Sequence, residues 1–208
     1  MTAPTLLQLT SSLFTTDGQS SHLAQEFVDE WRAANPGANV IARDLARSPV
    51  PHLDAARFGA FLAKPESRSL EQRSVVAYSD ELIDELRRAD VIVLGLPMYN
   101  FGVPSTLKAY FDHVARAGET FRYTEKGVVG LLTGKKAYVF ATRGGKYLGT
   151  RNDLETGYVR QFLGFIGITD VEFVYAEGLA ISPESRNNSL AAAQARSRRL
   201  AAQTRLAA

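Results

Sequence analysis

Short runs of apolar, largely β-branched residues alternate along the chain with longer stretches whose apolar positions recur every three or four residues. The first pattern fits buried strands and the second amphipathic helices, so their alternation predicts a parallel sheet covered by helices on both faces. Five strands are expected, at Thr5 to Thr10, Asn39 to Asp44, Val91 to Leu96, Ala137 to Thr142 and Val171 to Ala176. The third is almost wholly apolar, which places it in the middle of the sheet. Leu23, Phe27, Val28 and Trp31 form one helical stripe, and Leu82, Ile83 and Leu86 form another. A further helix is expected to start at Pro104, a good first-turn residue, and to turn Leu107, Tyr110, Phe111 and Val114 inward. Another runs from about Leu154 to Phe165. The tail from Pro183 to Ala208 is rich in strong helix formers and reads as the last covering helix, with Arg196, Arg198, Arg199 and Arg205 on a solvated face.

Two stretches break the alternation. Residues Ser48 to Ser69, rich in Pro, Arg and Ser, form a long excursion after the second strand. Gly118 to Gly134 is the other, and its Phe121, Tyr123, Gly127 and Gly130 suit a hairpin or lid.

Composition narrows the chemistry. With 208 residues, 45% of them hydrophobic, the chain supports one well-filled core, so a single domain over 1–208 is expected. Twenty-four Lys and Arg against 22 Asp and Glu leave a net charge of only +2, too little to suggest a nucleic-acid or membrane-surface binder. The chain contains no cysteine, so disulfides, thiolate-held metals and a thiol nucleophile are excluded, and redox work needs a borrowed cofactor. Neither a signal segment nor a run long enough to cross a bilayer is seen, and a cytoplasmic protein is the expectation.

In an open parallel sheet, ligands bind at the carboxyl ends of the strands where the winding reverses, so the loops after strands one, three and four matter most. The first, Ser11 to Ser21, is full of hydroxyls and has no Lys or Arg. Its hydroxyls, free amides and the positive end of the following helix can hold a phosphate monoester with neutral donors alone. The plain alternative is a helix capped by Ser20 or Ser21. After strand three, Pro97-Met98-Tyr99-Asn100-Phe101-Gly102 offers an apolar, aromatic surface for a flat heteroaromatic ring, with Asn100 able both to donate and to accept at its edge. Alternatively, Met98 and Phe101 simply plug the core. After strand four, Thr142-Arg143-Gly144-Gly145 allows close backbone approach, and Arg143 or the local amides can meet negative charge on a reduced ring; an ordinary turn is the other reading.

Other chemistries lack support. There is no Gly-x-Ser-x-Gly elbow to go with His22, His52 and His113, no metal-ligand spacing and no dinucleotide-binding glycine fingerprint. Gly134-Lys135 is followed by Lys136 where a P-loop needs Ser or Thr.

Taken together, Pro97-Met98-Tyr99-Asn100-Phe101, Ala115-Arg116-Ala117-Gly118 leading into Thr120-Phe121-Arg122-Tyr123-Thr124-Glu125, Arg143-Gly144-Gly145 and Phe162-Leu163-Gly164-Phe165-Ile166-Gly167-Ile168-Thr169-Asp170 closely resemble the FMN-dependent NADH-azoreductases, whose members also reduce quinones. The resemblance covers nearly the whole chain. It implies an α/β flavodoxin-like three-layer sandwich with a five-stranded parallel sheet in the order 2-1-3-4-5. It also implies that Ser12, Gly18, Gln19 and Ser20 hold the FMN phosphate and ribityl end, and that Met98, Tyr99, Asn100 and Phe101 with Thr142, Arg143, Gly144 and Gly145 frame the ring. Tyr123 and Phe165, with Phe101, are implied as the aromatic wall of the substrate pocket. A homodimer with shared sites is implied, as is a two-electron ping-pong cycle from NADH or NADPH to quinones or azo compounds without an essential acid or base. The rival expectations are an electron carrier or redox-sensing module that binds flavin without turnover, and a flavin-free receiver-like domain.

Overall fold

The computed structural model describes residues 3–204, so that Arg205 lies outside the described residues. The main sheet has five parallel strands, β1 (Thr5–Thr10), β2 (Asn39–Asp44), β3 (Val91–Pro97), β6 (Lys136–Thr142) and β7 (Asp170–Ala176), in the spatial order β2-β1-β3-β6-β7. That is the order expected for the five main strands. All seven residues of β3 are buried, as its central place requires.

The side-chain alternation of the strands divides the core into two layers. Leu6, Val91, Val93, Tyr138 and Phe140 face α1 (Gln19–Ala34) and α6 (Pro183–Gln203), where Leu23, Phe27, Val28 and Trp31 pack. Leu7, Leu9, Ile92, Leu94 and Val139 face the other way, onto α3 (Leu70–Arg88), α4 (Ser105–Val114) and α5 (Leu154–Phe165). Leu82, Ile83 and Leu86 of α3 and Leu107, Tyr110, Phe111 and Val114 of α4 are all buried there.

Both excursions carry structure. The first holds α2 (Ala55–Leu62), capped by Asp54, and a short 3-10 turn at Pro65–Ser67. It ends in a reciprocal cap in which the Ser69 hydroxyl accepts from the Gln72 amide while the Gln72 side chain accepts from the Ser69 amide. The second is an antiparallel hairpin, β4 (Phe121–Thr124) and β5 (Gly127–Gly130). Its base is fastened to the turn after α5: Leu132 donates to the Ile166 carbonyl, and a Cβ on Gly130 would overlap the Gly167 backbone.

Candidate active site

The loops after β1, β3 and β6 converge at the carboxyl rim of the sheet. Main-chain strain is concentrated there: Thr15, Asn100 and Phe101 are the only non-glycine residues with positive φ among the described residues, and all three lie in the first two loops. Such conformations cost roughly 1–3 kcal/mol each and persist where surrounding structure enforces them. Tyr99 and Gly102 exchange both backbone hydrogen bonds around Asn100 and Phe101 at 3.1 Å, and this tight turn enforces the left-handed pair. Its effect is to push the Phe101 ring outward, where it is 50% exposed.

The first loop forms a compact donor cradle. Gly18 stands at the cap of α1 without a side-chain capping bond, so neither Ser20 nor Ser21 caps this helix. Both instead lie in its first turn, buried, with hydroxyls that have no hydrogen-bond partner among the described residues. The amides of Gln19, Ser20 and Ser21 have no acceptor among the described residues either, as expected for a helix start. A Cβ at position 18 would sit 2.1 Å from Ser12 Oγ and 3.5 Å from Ser21 Oγ, so glycine leaves the space between these hydroxyls open. Gly95 of β3 lets the helix start approach the sheet, since a Cβ there would meet the Ser20 carbonyl at 3.0 Å. Asp17 is exposed.

The second loop is tied to the first and the third. The Tyr99 hydroxyl accepts from the Leu13 amide at 3.1 Å and lies 3.4 Å from Ser12 Oγ. The Met98 amide donates to the Thr142 carbonyl at 3.0 Å.

In the third loop, three successive carbonyls face one way: those of Arg143, Gly144 and Gly145 accept from Leu179, Ala180 and Gly178. A trans peptide points its N–H opposite to its C=O, so the amides of Gly144, Gly145 and Lys146 face away from residues 178–180. They have no acceptor among the described residues. Because β6 lies between β7 and β3, that direction is toward the Phe101 loop. Tyr147 closes the gap: its ring lies edge-on to Phe101 at 5.6 Å and within 2.7 Å of where a Gly145 Cβ would be.

The Arg143 side chain, by contrast, is turned into the protein and is 1% exposed, so it does not reach the ring slot. Of the two donors expected in that segment, the amides alone face it. Arg143 pairs with Asp153 at 2.9 Å and Glu177 at 3.2 Å and lies 3.4 Å from Glu155. Burial raises the Asp153 carboxyl, but hydrogen bonds from Arg143 and from the Thr156 amide and hydroxyl outweigh it and hold the group below the ordinary carboxylate range. Burial pushes Glu155 up to about 8 against the pull of Arg143, 3.4 Å away.

Tyr123 and Phe165 do not join the three loops within one chain. They pack around Phe121, at 5.5 Å and 4.3 Å. From the site rim, α5 runs roughly 18 Å at 1.5 Å per residue before it reaches Phe165. Both aromatics therefore belong to the opposite end of the strands, and Tyr123 is 74% exposed.

The model of a family described as having a flavodoxin-like fold matches residues 4–201. An FMN-dependent NADH:quinone oxidoreductase of Cellvibrio japonicus (strain Ueda107) is 57% identical over 175 residues, which cover 84% of this chain and 88% of the relative. A protein of the same name from Burkholderia pseudomallei (strain 1710b) is 55% identical over 190 residues, covering 91% and 96%. This chain belongs to the FMN-dependent NADH:quinone oxidoreductase family. The crystal structure of an FMN-dependent NADH-azoreductase from Bacillus anthracis str. Ames Ancestor, in complex with FMN, matches with a TM-score of 0.85 at 27% identity, covering 95% of this chain and 99% of that one. For a member of an FMN-dependent family, the residues present suit the group: orphaned hydroxyls and amides at one end, an aromatic slot with free amides at the other.

Two residues beside these loops were not legible beforehand. Tyr147 was signalled solely by its place two residues after Gly145, and Glu177 by an acid directly following the last strand.

Proposed function

We propose that this chain is an FMN-dependent oxidoreductase that passes two electrons from NADH or NADPH to quinones and to aromatic azo compounds. The observation that carries the reading is the pair of unpartnered donor sets, the first turn of α1 and the Gly144–Lys146 amides, on either side of the strained Phe101 turn.

When bound, FMN supplies the two-electron chemistry that no side chain of a cysteine-free protein offers. The chain supplies the rest. The Ser12, Ser20 and Ser21 hydroxyls and the amides of Gln19 to Ser21 hold a phosphate, aided by the dipole of α1. Asn100 would hold the ring edge and Met98 and Phe101 its face, and the turned-out amides of Gly144 to Lys146 would stabilise negative charge on the reduced group. A flat aromatic slot selects planar substrates by shape, and protons come from water.

We infer further that the protein is a homodimer in which Tyr123 and Phe165 wall the partner's site. Their place at the far end of the strands supports this, since they cannot line the same pocket as Phe101 of their own chain. So do the exposed Phe58, Leu62, Val128 and Val129 on α2 and the hairpin, a large apolar display for a monomer.

The deciding experiment is steady-state NADH oxidation by the purified, FMN-loaded protein with a quinone acceptor. Turnover without any added reductase supports an enzyme; bound flavin without NADH consumption indicates an electron carrier.

A further inference from the structure

The glycine loop offers its amides in one direction because something holds it from behind. Three of its carbonyls are tied to the 178–180 backbone. The segment that follows is held by one carboxylate: Glu177 Oε1 accepts from the Tyr147 amide at 2.8 Å and the Leu148 amide at 2.9 Å. The same oxygen accepts from Arg143 at 3.2 Å. Arg143 in turn donates to Asp153 at 2.9 Å and Thr156 Oγ1 at 2.8 Å, and Asp153 caps α5. A continuous path of charged and hydrogen-bonded groups thus joins the start of α5, through Arg143 and Glu177, to the far end of the loop that carries the free amides.

The economy of the arrangement argues against plain structural salt bridging. One fully buried guanidinium faces three carboxylates, of Asp153, Glu155 and Glu177, of which Glu155 is itself fully buried and the other two nearly so. A pair built only for stability would not be served by the extra buried acids, which cost desolvation. Glu177 is the one of the three that reaches the ring-binding loop, where it fixes the peptide planes on the carboxyl side of Gly145 and seats Tyr147 across that glycine.

We propose that Glu177, buttressed by Arg143, is a positioning residue that anchors Tyr147 and Leu148 at the far end of the Gly144–Lys146 segment and seats the Tyr147 ring against Phe101, and so tunes the affinity and redox potential of the flavin that the amides face. The proposal rests on the flavin-binding reading above. Removing the carboxylate leaves the 178–180 hydrogen bonds in place but frees Tyr147 and Leu148; the amide segment is then anchored on one side only, the Tyr147 ring is no longer held across Gly145, and negative charge on the reduced ring loses stabilisation.

The test compares Glu177→Ala, Glu177→Gln and a control, Glu172→Gln, whose carboxylate pairs with Arg196 on the surface. For each, the FMN dissociation constant is measured by flavin fluorescence, the midpoint potential of bound flavin by anaerobic titration, and the melting temperature without FMN. Glu177→Ala is expected to weaken FMN binding by about tenfold, the size of one lost charge-assisted hydrogen bond, and to shift the potential to a more negative value. Glu177→Gln, which keeps an acceptor for the two amides, should fall between, and the control should match the parent. A lower melting temperature with unchanged affinity and potential overturns the proposal and leaves Glu177 merely structural. Should the alanine variant not fold, the glutamine variant decides on the same two readouts. Failure of the parent protein to bind FMN at all is a different result and contradicts the functional reading itself.

Discussion

The Tyr99 hydroxyl accepts a hydrogen bond from the Leu13 amide at 3.1 Å, so a residue of the turn after β3 holds the loop after β1 in place. Since it also lies beside Ser12 Oγ, it couples the two ends of the cradle. Tyr99→Phe leaves the exposed Leu13 amide to water in the FMN-free protein, so the loss, about 1 kcal/mol, falls on ordering the loop around FMN. FMN affinity is expected to fall roughly fivefold, with little change in melting temperature of the FMN-free protein. Fluorescence titration of parent and variant checks this, and equal affinities count against the coupling.

Phe101 illustrates strain kept for function. At φ 66° a phenylalanine is disfavoured by about 1 kcal/mol or more, whereas glycine is at ease there. Phe101→Gly relieves the strain, partly offset by glycine's greater freedom in the unfolded chain. Denaturant unfolding without FMN should therefore show no loss of stability, while FMN binding weakens because the ring face is gone. A variant both less stable and unimpaired in binding contradicts this reading.

Much of this architecture is written in periodicity. The ends of β1 and β2 match the alternating runs residue for residue, and the buried β3 follows from its apolar stretch. The small misses have physical causes. β6 and β7 each begin one residue early, at Lys136 and Asp170, because a cross-strand ion pair at 2.8 Å lets two charged residues extend the ladder. The helix Ala55–Leu62 carries Phe58, Phe61 and Leu62 at helical spacing, but at eight residues with an internal glycine, between Pro51 and Pro65, it is too short to stand out from the Pro-, Arg- and Ser-rich excursion around it. At the site, local signals such as glycines, hydroxyls and aromatics were readable where each acts within its own loop. What was not readable depends on the meeting of distant segments. Arg143 is surrounded by Asp153, Glu155 and Glu177, whose spacing carries no signature, and this burial turns its side chain away from the slot.

Glu155 predicts a pH signature. Its carboxyl is raised from 4.5 to about 8 in the folded protein. Between those values the unfolded chain has lost the proton and the folded one keeps it, so stability falls as pH rises through that window, by at most about 1.4 kcal/mol per pH unit, and levels off above about pH 8. Arg143 and Asp153 are the charged groups that modulate it. Glu155→Gln removes this component. The melting temperature of the variant should gain on the parent as pH is raised from 5.5 to 8.5; a constant difference across that range contradicts the assignment.

The proposed dimer with shared sites makes a complementation prediction. Gly144→Leu spoils the ring loop of its own chain, whereas Tyr123→Ala spoils the wall lent to the partner. Each variant alone should be poorly active. Co-expressed, they form mixed dimers in which one site has intact loops and an intact wall, so quinone reductase activity should reappear. No recovery in demonstrably mixed dimers indicates that Tyr123 serves the site of its own chain.

The most direct measurement is titration of the flavin-free protein with FMN, followed by flavin fluorescence. Quenching that saturates at one FMN per chain, and is lost when Gly144 is replaced by Leu, is the expected outcome. Fluorescence that tracks free FMN throughout contradicts the claim that these three loops form a flavin cradle.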